Sequence, residues 1–157
     1  MPLTTSRDML RNAQAGHYAV GAFNAENMEM VQAIVAAAEA EHAPVIIQTT
    51  PGTLKYADAM IFAGQASRLA AAAKVPVALH LDHGNSFELA EYCVRQGYTS
   101  VMIDGSLLPF EDNVALSRRV VEMAGDTPVE AELGTVGGKE DSHEASMSYT
   151  DPAQAEE

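Results

Sequence analysis

Val75-Pro76-Val77-Ala78-Leu79-His80-Leu81-Asp82-His83-Gly84 is the stretch on which the fold turns. Side chains alternate across a strand, so Val77, Leu79 and Leu81 share one face and Ala78, His80 and Asp82 the other. Gly84 and Asn85 break the pattern and leave Asp82 and His83 at the strand's C-terminal end. In open or closed parallel α/β folds, that end holds ligands and chemistry. A carboxylate beside an imidazole offers a proton carrier and a metal ligand together. Taken alone, the pair equally suits a strand-end Asp capping the next helix beside a solvated His.

Outward from this stretch, strands and helices alternate. Pro44 to Thr49 is a continuous apolar run, typical of a buried parallel strand. Tyr18 to Asn24 reads as the first strand, Ser100 to Gly105 as the fourth and Val129 to Gly134 as the fifth. Helices are predicted over 27–41, 57–74, 86–96 and 111–124, with Thr50-Pro51-Gly52-Thr53 as an exit loop. A short opening helix, capped by Thr4 or Thr5, carries Met9, Leu10 and Ala13 and ends at Gly16. A polar loop over 135–150 holds Gly137-Gly138, and Asp151-Pro152 reads as an N-cap with proline at the first helical position. A strand recurs every ~28 residues, which is βα repetition within a single domain over 1–157.

Five such units suit either a flavodoxin-like open sheet or part of a (β/α)8 barrel. Length favours the open sheet, since a full barrel takes ~250 residues. The polar positions favour the barrel. Asp104 shares a face with Met102, opposite Val101 and Ile103; Glu130 and Glu132 share a face opposite Val129, Ala131 and Leu133. With His80 and Asp82, three consecutive strands put charge on one face and apolar bulk on the other. A sheet covered by helices on both sides should not do that, whereas a barrel's lumen near its C-terminal mouth can. The expectation is a TIM (β/α)8 barrel fold, here about five βα units of it.

With 157 residues, 47% hydrophobic and 20% charged, the chain reads as one globular domain with a real core. No apolar run approaches the ~18 residues of a membrane span, and no signal peptide is legible. The single cysteine, Cys93, excludes an intramolecular disulfide, fits a reducing cytoplasm and falls in a helical pattern that buries it. A net charge of -13 argues against nucleic acid and anionic membranes as partners. An anionic substrate would then need a cation or local amide donors.

Asp82, His83, Asp104 and Glu132 are expected to converge at strand ends. Acids brought together raise one another's pKa or demand a cation. Buried ion pairs would be the alternative, but the chain has only nine Lys and Arg and few lie near these strands. Imidazole plus carboxylates, with no partner thiol, suits zinc or a related divalent metal.

Phe23-Asn24, Thr50-Pro51-Gly52-Thr53, Leu79 to Gly84, Met102-Ile103-Asp104-Gly105-Ser106 and Glu130-Ala131-Glu132-Leu133-Gly134 with Gly137-Gly138 together resemble the class II ketose-bisphosphate aldolases. The resemblance runs from the first helix to the last residue and is nearest to the tagatose- and fructose-bisphosphate enzymes. It implies metal-dependent aldol cleavage of a ketose 1,6-bisphosphate to dihydroxyacetone phosphate and glyceraldehyde 3-phosphate. By motif, Asp82 would be the proton donor handling the C4 hydroxyl, and His83 the first ligand of a catalytic zinc that polarises the ketone. Asp104 and Glu132 match a secondary metal position. Asn24 and Thr50 match positions near the substrate. Glu140, in the loop over 135–150, matches a mobile acid that exchanges protons on the triose. Lys139 stands where an acid is often found and reads as a solvated loop charge, as His143 reads as an exposed His. His17 and His42 flank strand entries at the opposite end, and His80 packs inside the lumen.

The family continues where these residues stop. Its later strands supply two further histidines for zinc and the glycine- and serine-rich amides for phosphate, consistent with barrel phosphate sites after strands seven and eight. One histidine cannot make a catalytic zinc site, which normally takes three protein ligands. The expected partners are a phosphorylated sugar and a homo-oligomer or partner chain completing the barrel. The readings left open are a piece of a longer aldolase, a half needing its partner, a degenerate product, or a non-catalytic assembly module.

Overall fold

The computed structural model describes residues 3–134 and 149–156. Its strands are β1 (Gly21–Asn24), β2 (Val45–Thr49), β3 (Val77–Gly84), β4 (Ser100–Ile103) and β5 (Val129–Ala131). Its helices are α1 (Ser6–Gly16), α2 (Met28–Ala40), α3 (Pro51–Tyr56), α4 (Ala59–Ala72), α5 (Phe87–Gln96), α6 (Phe110–Ala124) and α7 (Pro152–Ala155). All neighbouring strands are parallel, in the sequential order β1-β2-β3-β4-β5. A flavodoxin-like sheet would reverse direction after its first crossover. Sequential order with helices between strands is the winding of a barrel wall.

The two faces of the sheet differ as the alternation predicts. On the outer face Val45, Ile47, Val77, Leu79, Leu81, Val101 and Ile103 pack with Val31 and Val35 of α2, Phe62 and Ala66 of α4, and Val120 of α6. Leu79, Leu81 and Ile103 are each 0% exposed, so each contributes about 1.5–3 kcal/mol of transfer free energy. Ala59, Ala63, Ala66 and Ala70 are the buried stripe of α4, and small side chains let that helix lie close to the sheet. Cys93 is buried in this layer, where desolvation, with the Asp58 charge second, pushes its thiol up to about 12. It is buried, as expected.

The inner face is separate. Met9 of α1 packs with Ile46 and Ala78 and is joined by Val20. The Thr4 amide bonds the Val77 carbonyl at 2.9 Å, seating α1 under the N-terminal end of β3. No helix among the described residues is long and apolar enough to cross a membrane.

Several element boundaries depart from the sequence expectations. Thr50-Pro51-Gly52-Thr53 opens α3 instead of forming a loop: Thr50 is its N-cap and Pro51 sits in its first turn. The alanine-rich helix starts at Ala59, not Ala57, because the Asp58 carboxylate caps the Met60 amide at 2.8 Å and Ala57 is extended. The first strand begins at Gly21, not Tyr18, and the fifth ends at Ala131, not Gly134. Helix α1 ends at Gly16, as expected, and His17 takes the left-handed position that closes it.

Candidate active site

The ends of β3, β4 and β5 form one cluster. His83 Nδ1 lies 3.1 Å from Asp104 Oδ2 and 3.4 Å from Glu132 Oε2, and its Nε2 lies 4.0 Å from Asp82 Oδ1. Strict alternation would turn His83 to the outer face with Leu81. A bulge prevents it: Leu81 pairs with Val101, but Gly84, three residues on, pairs with Ile103, two residues on. His83 itself adopts a left-handed backbone, φ 47°. Such a conformation costs about 1–2 kcal/mol for a residue with a Cβ, and it brings the imidazole to the same side as Asp82.

Glycine is required at the next position. A Cβ on Gly84 would collide with the Met102 carbonyl oxygen and stand 2.8 Å from Leu81 Cδ2. The close approach lets the Asp104 amide bond the Gly84 carbonyl at 2.9 Å, fastening β3 to β4 beside the cluster.

Each acid has its own support. Asp104 Oδ1 accepts from the Ser106 hydroxyl at 2.6 Å and the Ser106 amide at 3.0 Å. Burial pushes the Asp104 carboxyl up, but Ser106 and then His83 outweigh it and hold it below the ordinary value. The Asn24 amide at the end of β1 donates to Asp82 Oδ2 at 3.5 Å, reaching it across β2. Burial pulls the His83 imidazole down; the bond to Asp104 and the charges of Asp82, Glu132 and Asp104 outweigh it and raise its pKa. Acids that stabilise a proton on His83 stabilise any cation placed among them.

His83, Asp104 and Glu132 each bring one ligand atom to within 4.8 Å of the others. Tetrahedral zinc with one nitrogen and two oxygen ligands at about 2.0–2.2 Å separates its ligand atoms by about 3.3–3.6 Å. The 3.1 and 3.4 Å distances from Nδ1 lie near that span, and the donor set is hard enough for other divalent ions.

Thr50 has a structural role: its hydroxyl accepts the Thr53 amide at 3.3 Å and bonds the Thr53 hydroxyl at 3.2 Å. Thr53 Oγ1 in turn donates to Glu26 at 2.7 Å. His80 is buried below the cluster, its Nδ1 2.8 Å from Ser100 Oγ, which accepts from Ser6 of α1 at 3.1 Å. Desolvation, helped by the His83 charge, lowers its pKa to about 4, so His80 is neutral at pH 7. Its 3.7 Å approach to Glu130 is therefore not an ion pair. Glu130 has its own pKa raised by burial and by the Asp82 charge. Glu140, Lys139, His143 and all but the last two residues of the loop over 135–150 lie outside the described residues. Sequence reasoning missed the supports Ser106 and Asn113; Ser106, two residues beyond a strand-end Asp, is the signal that was present.

A groove of about 660 Å³ lies elsewhere, between α6 and the end of β5, and is lined mainly by apolar atoms.

Three comparisons bear on this geometry. The family model described as fructose-bisphosphate aldolase class-II matches residues 4–157. The fructose-bisphosphate aldolases of Staphylococcus aureus (strain Mu50 / ATCC 700699) and Staphylococcus epidermidis are each 44% identical over 165 residues. That alignment takes in 100% of this chain and 57% of each relative, so the chain spans a little over half their length. The crystal structure of the YdjI aldolase from Escherichia coli K12 superposes with a TM-score of 0.86 at 35% identity, over 98% of this chain and 56% of that one.

Proposed function

The chain belongs to the class II fructose-bisphosphate aldolase family, and on that premise we propose that it carries the acid–base half of a metal-dependent aldolase site. The reaction is the reversible cleavage of a ketose 1,6-bisphosphate, tagatose or fructose, to dihydroxyacetone phosphate and glyceraldehyde 3-phosphate. One observation carries the reading: a proton carrier, Asp82, stands beside a nitrogen-and-carboxylate donor set at the C-terminal ends of three barrel strands.

In the cleavage direction Asp82 takes the C4 hydroxyl proton as that oxygen becomes the aldehyde carbonyl. The C3–C4 electron pair passes to the ketone-bearing fragment, which regains a proton at C3 from the Glu140 carboxyl. Asn24 orients Asp82 and faces the substrate, and Thr50 holds the neighbouring α3 turn against it. His83, Asp104 and Glu132 are the donors for a divalent metal, zinc in this reading. When bound, that ion supplies Lewis-acid polarisation of a carbonyl and positive charge for an anionic sugar phosphate. The chain's net charge of -13 makes such a counter-charge necessary.

A catalytic zinc takes three protein ligands, and a barrel binds phosphate after its seventh and eighth strands. We therefore assign two further histidines and the phosphate amides to strands beyond β5, on a longer chain or a partner subunit, and a cytoplasmic location to the assembly. A 157-residue polypeptide alone should cleave no ketose bisphosphate. In the enzyme completed by fusion or mixing, Asp82→Ala should lower turnover by roughly two to four orders of magnitude with metal content unchanged. His83→Ala should lose metal and activity together. Normal turnover by Asp82→Ala, or zinc-dependent cleavage by the chain alone, would overturn the assignment.

A further inference from the structure

The β4–β5 ladder ends at the pair Ile103 and Ala131, one residue short of both Asp104 and Glu132. The paired register thus stops just before the two acids. A side chain of α6 reaches the segment beyond it. Asn113 is 4% exposed, an unusual burial for an amide inside a helix. Its Nδ2 donates to the Glu132 carbonyl at 2.8 Å. Its Oδ1 accepts from Ser117 at 3.4 Å. The other side of the same carboxamide lies against Gly105, where an added Cβ would stand 2.7 Å from Asn113 Cγ. Gly105 follows Asp104 directly, so one planar group touches the backbone beside each acid.

We propose that Asn113 is a positioning residue that sets the distance between Asp104 and Glu132, and with it the affinity of the cluster for a divalent cation. This rests on the metal reading above for its consequence, but not for its geometry. An asparagine is a poor interior helix residue, and burying its amide is costly unless every polar atom is matched. Here both amide ends are bonded, and glycine at position 105 is what makes room for them. Leucine, of similar size, would fill the space yet leave the Glu132 carbonyl without this donor.

The test uses the full chain with Co2+ as the probe, titrated by its visible absorption, and crystal structures of the variants. Asn113→Leu should weaken Co2+ binding about 10–100-fold, as loss of an outer support typically does. Gly105→Ala, which keeps the carboxamide but pushes it aside, should weaken binding similarly. In the Asn113→Ala background, Gly105→Ala should cost nothing further, a coupling that a general loss of stability would not produce. Val120→Ala, on the same helix and 0% exposed, should lower the melting temperature yet leave Co2+ affinity unchanged. Affinity unchanged in Asn113→Leu and Gly105→Ala would overturn the proposal. If the parent chain itself binds no Co2+, the metal reading falls, and the structures decide alone. A Glu132 carboxylate more than 4 Å from His83 Nδ1 in Asn113→Leu supports the positioning role, and one held at 3.4 Å as in the parent overturns it.

Discussion

At its N-terminal end the inner face of the sheet is closed and quiet, and at its C-terminal end it is charged and tense. Below, Met9 packs on Ile46 and Ala78, and the Ser6, Ser100 and His80 side chains satisfy one another as neutral groups. Above, one imidazole sits among three carboxylates on a backbone held in the left-handed region. A histidine sits at both ends, so the difference lies in its partners. Neutral partners stabilise the lower end. Carboxylates whose charges reinforce one another leave the upper end in need of positive charge, which a protonated His83 or a bound cation would supply.

The largest effect that tests this contrast is a cavity in the lower end. Ile46→Ala, 8% exposed beneath α1, should cost about 2–5 kcal/mol in urea unfolding. Divalent-metal affinity measured on the folded variant should not change. A parallel loss of affinity would mean that the two ends are one mechanical unit, and the contrast would fail.

Acid provides the next test. Burial lowers the His80 pKa from 6.5 to about 4, so the unfolded chain binds this proton more tightly than the folded one. Stability tied to His80 is complete above the unfolded value and is lost as pH falls from 6.5 towards 4. The loss amounts to about 2 kcal/mol at pH 5. In His80→Gln, the drop in unfolding free energy from urea titration between pH 7 and pH 5 should shrink by that amount. Equal drops in both proteins would show that His80 is already charged when folded and that the lower end is not neutral.

How much of this was legible in the sequence follows the same division. Alternation along 77–82 assigned both faces, because one strand face packs on helices and the other does not. Charge confined to one face of three strands separated barrel from open sheet, and the sequential strand order agrees. The position of His83 was not legible from alternation, since a bulge adds a residue with no composition signal except the glycine after it. Helix α3 was legible and missed: Thr50-Pro51 has the same grammar as Asp151-Pro152, which does open α7 with its carboxylate on the Ala153 amide at 2.9 Å. Asn113 carried no signal. Its partners, a carbonyl on β5 and a glycine after β4, are joined only by the tertiary fold.

The smallest effects concern backbone strain, and they separate the ends most cleanly. Among the described residues the non-glycine positions with positive φ are His17, His42 and His83, at 56°, 52° and 47°. His17 and His42 are exposed and follow α1 and α2, where a left-handed residue does no more than end a helix. Glycine takes that conformation freely but is looser when unfolded, so His17→Gly should gain only about 0.5–1 kcal/mol. His42→Gly should do the same, with metal affinity untouched in both. At His83 the same backbone relief is available, but the imidazole bond to Asp104 at 3.1 Å goes with it. His83→Gly should therefore gain less than His17→Gly in urea unfolding and should abolish divalent-metal binding. A gain at His83 as large as at His17, with metal affinity intact, would mean that the left-handed turn there only ends the strand and that the imidazole it carries holds nothing.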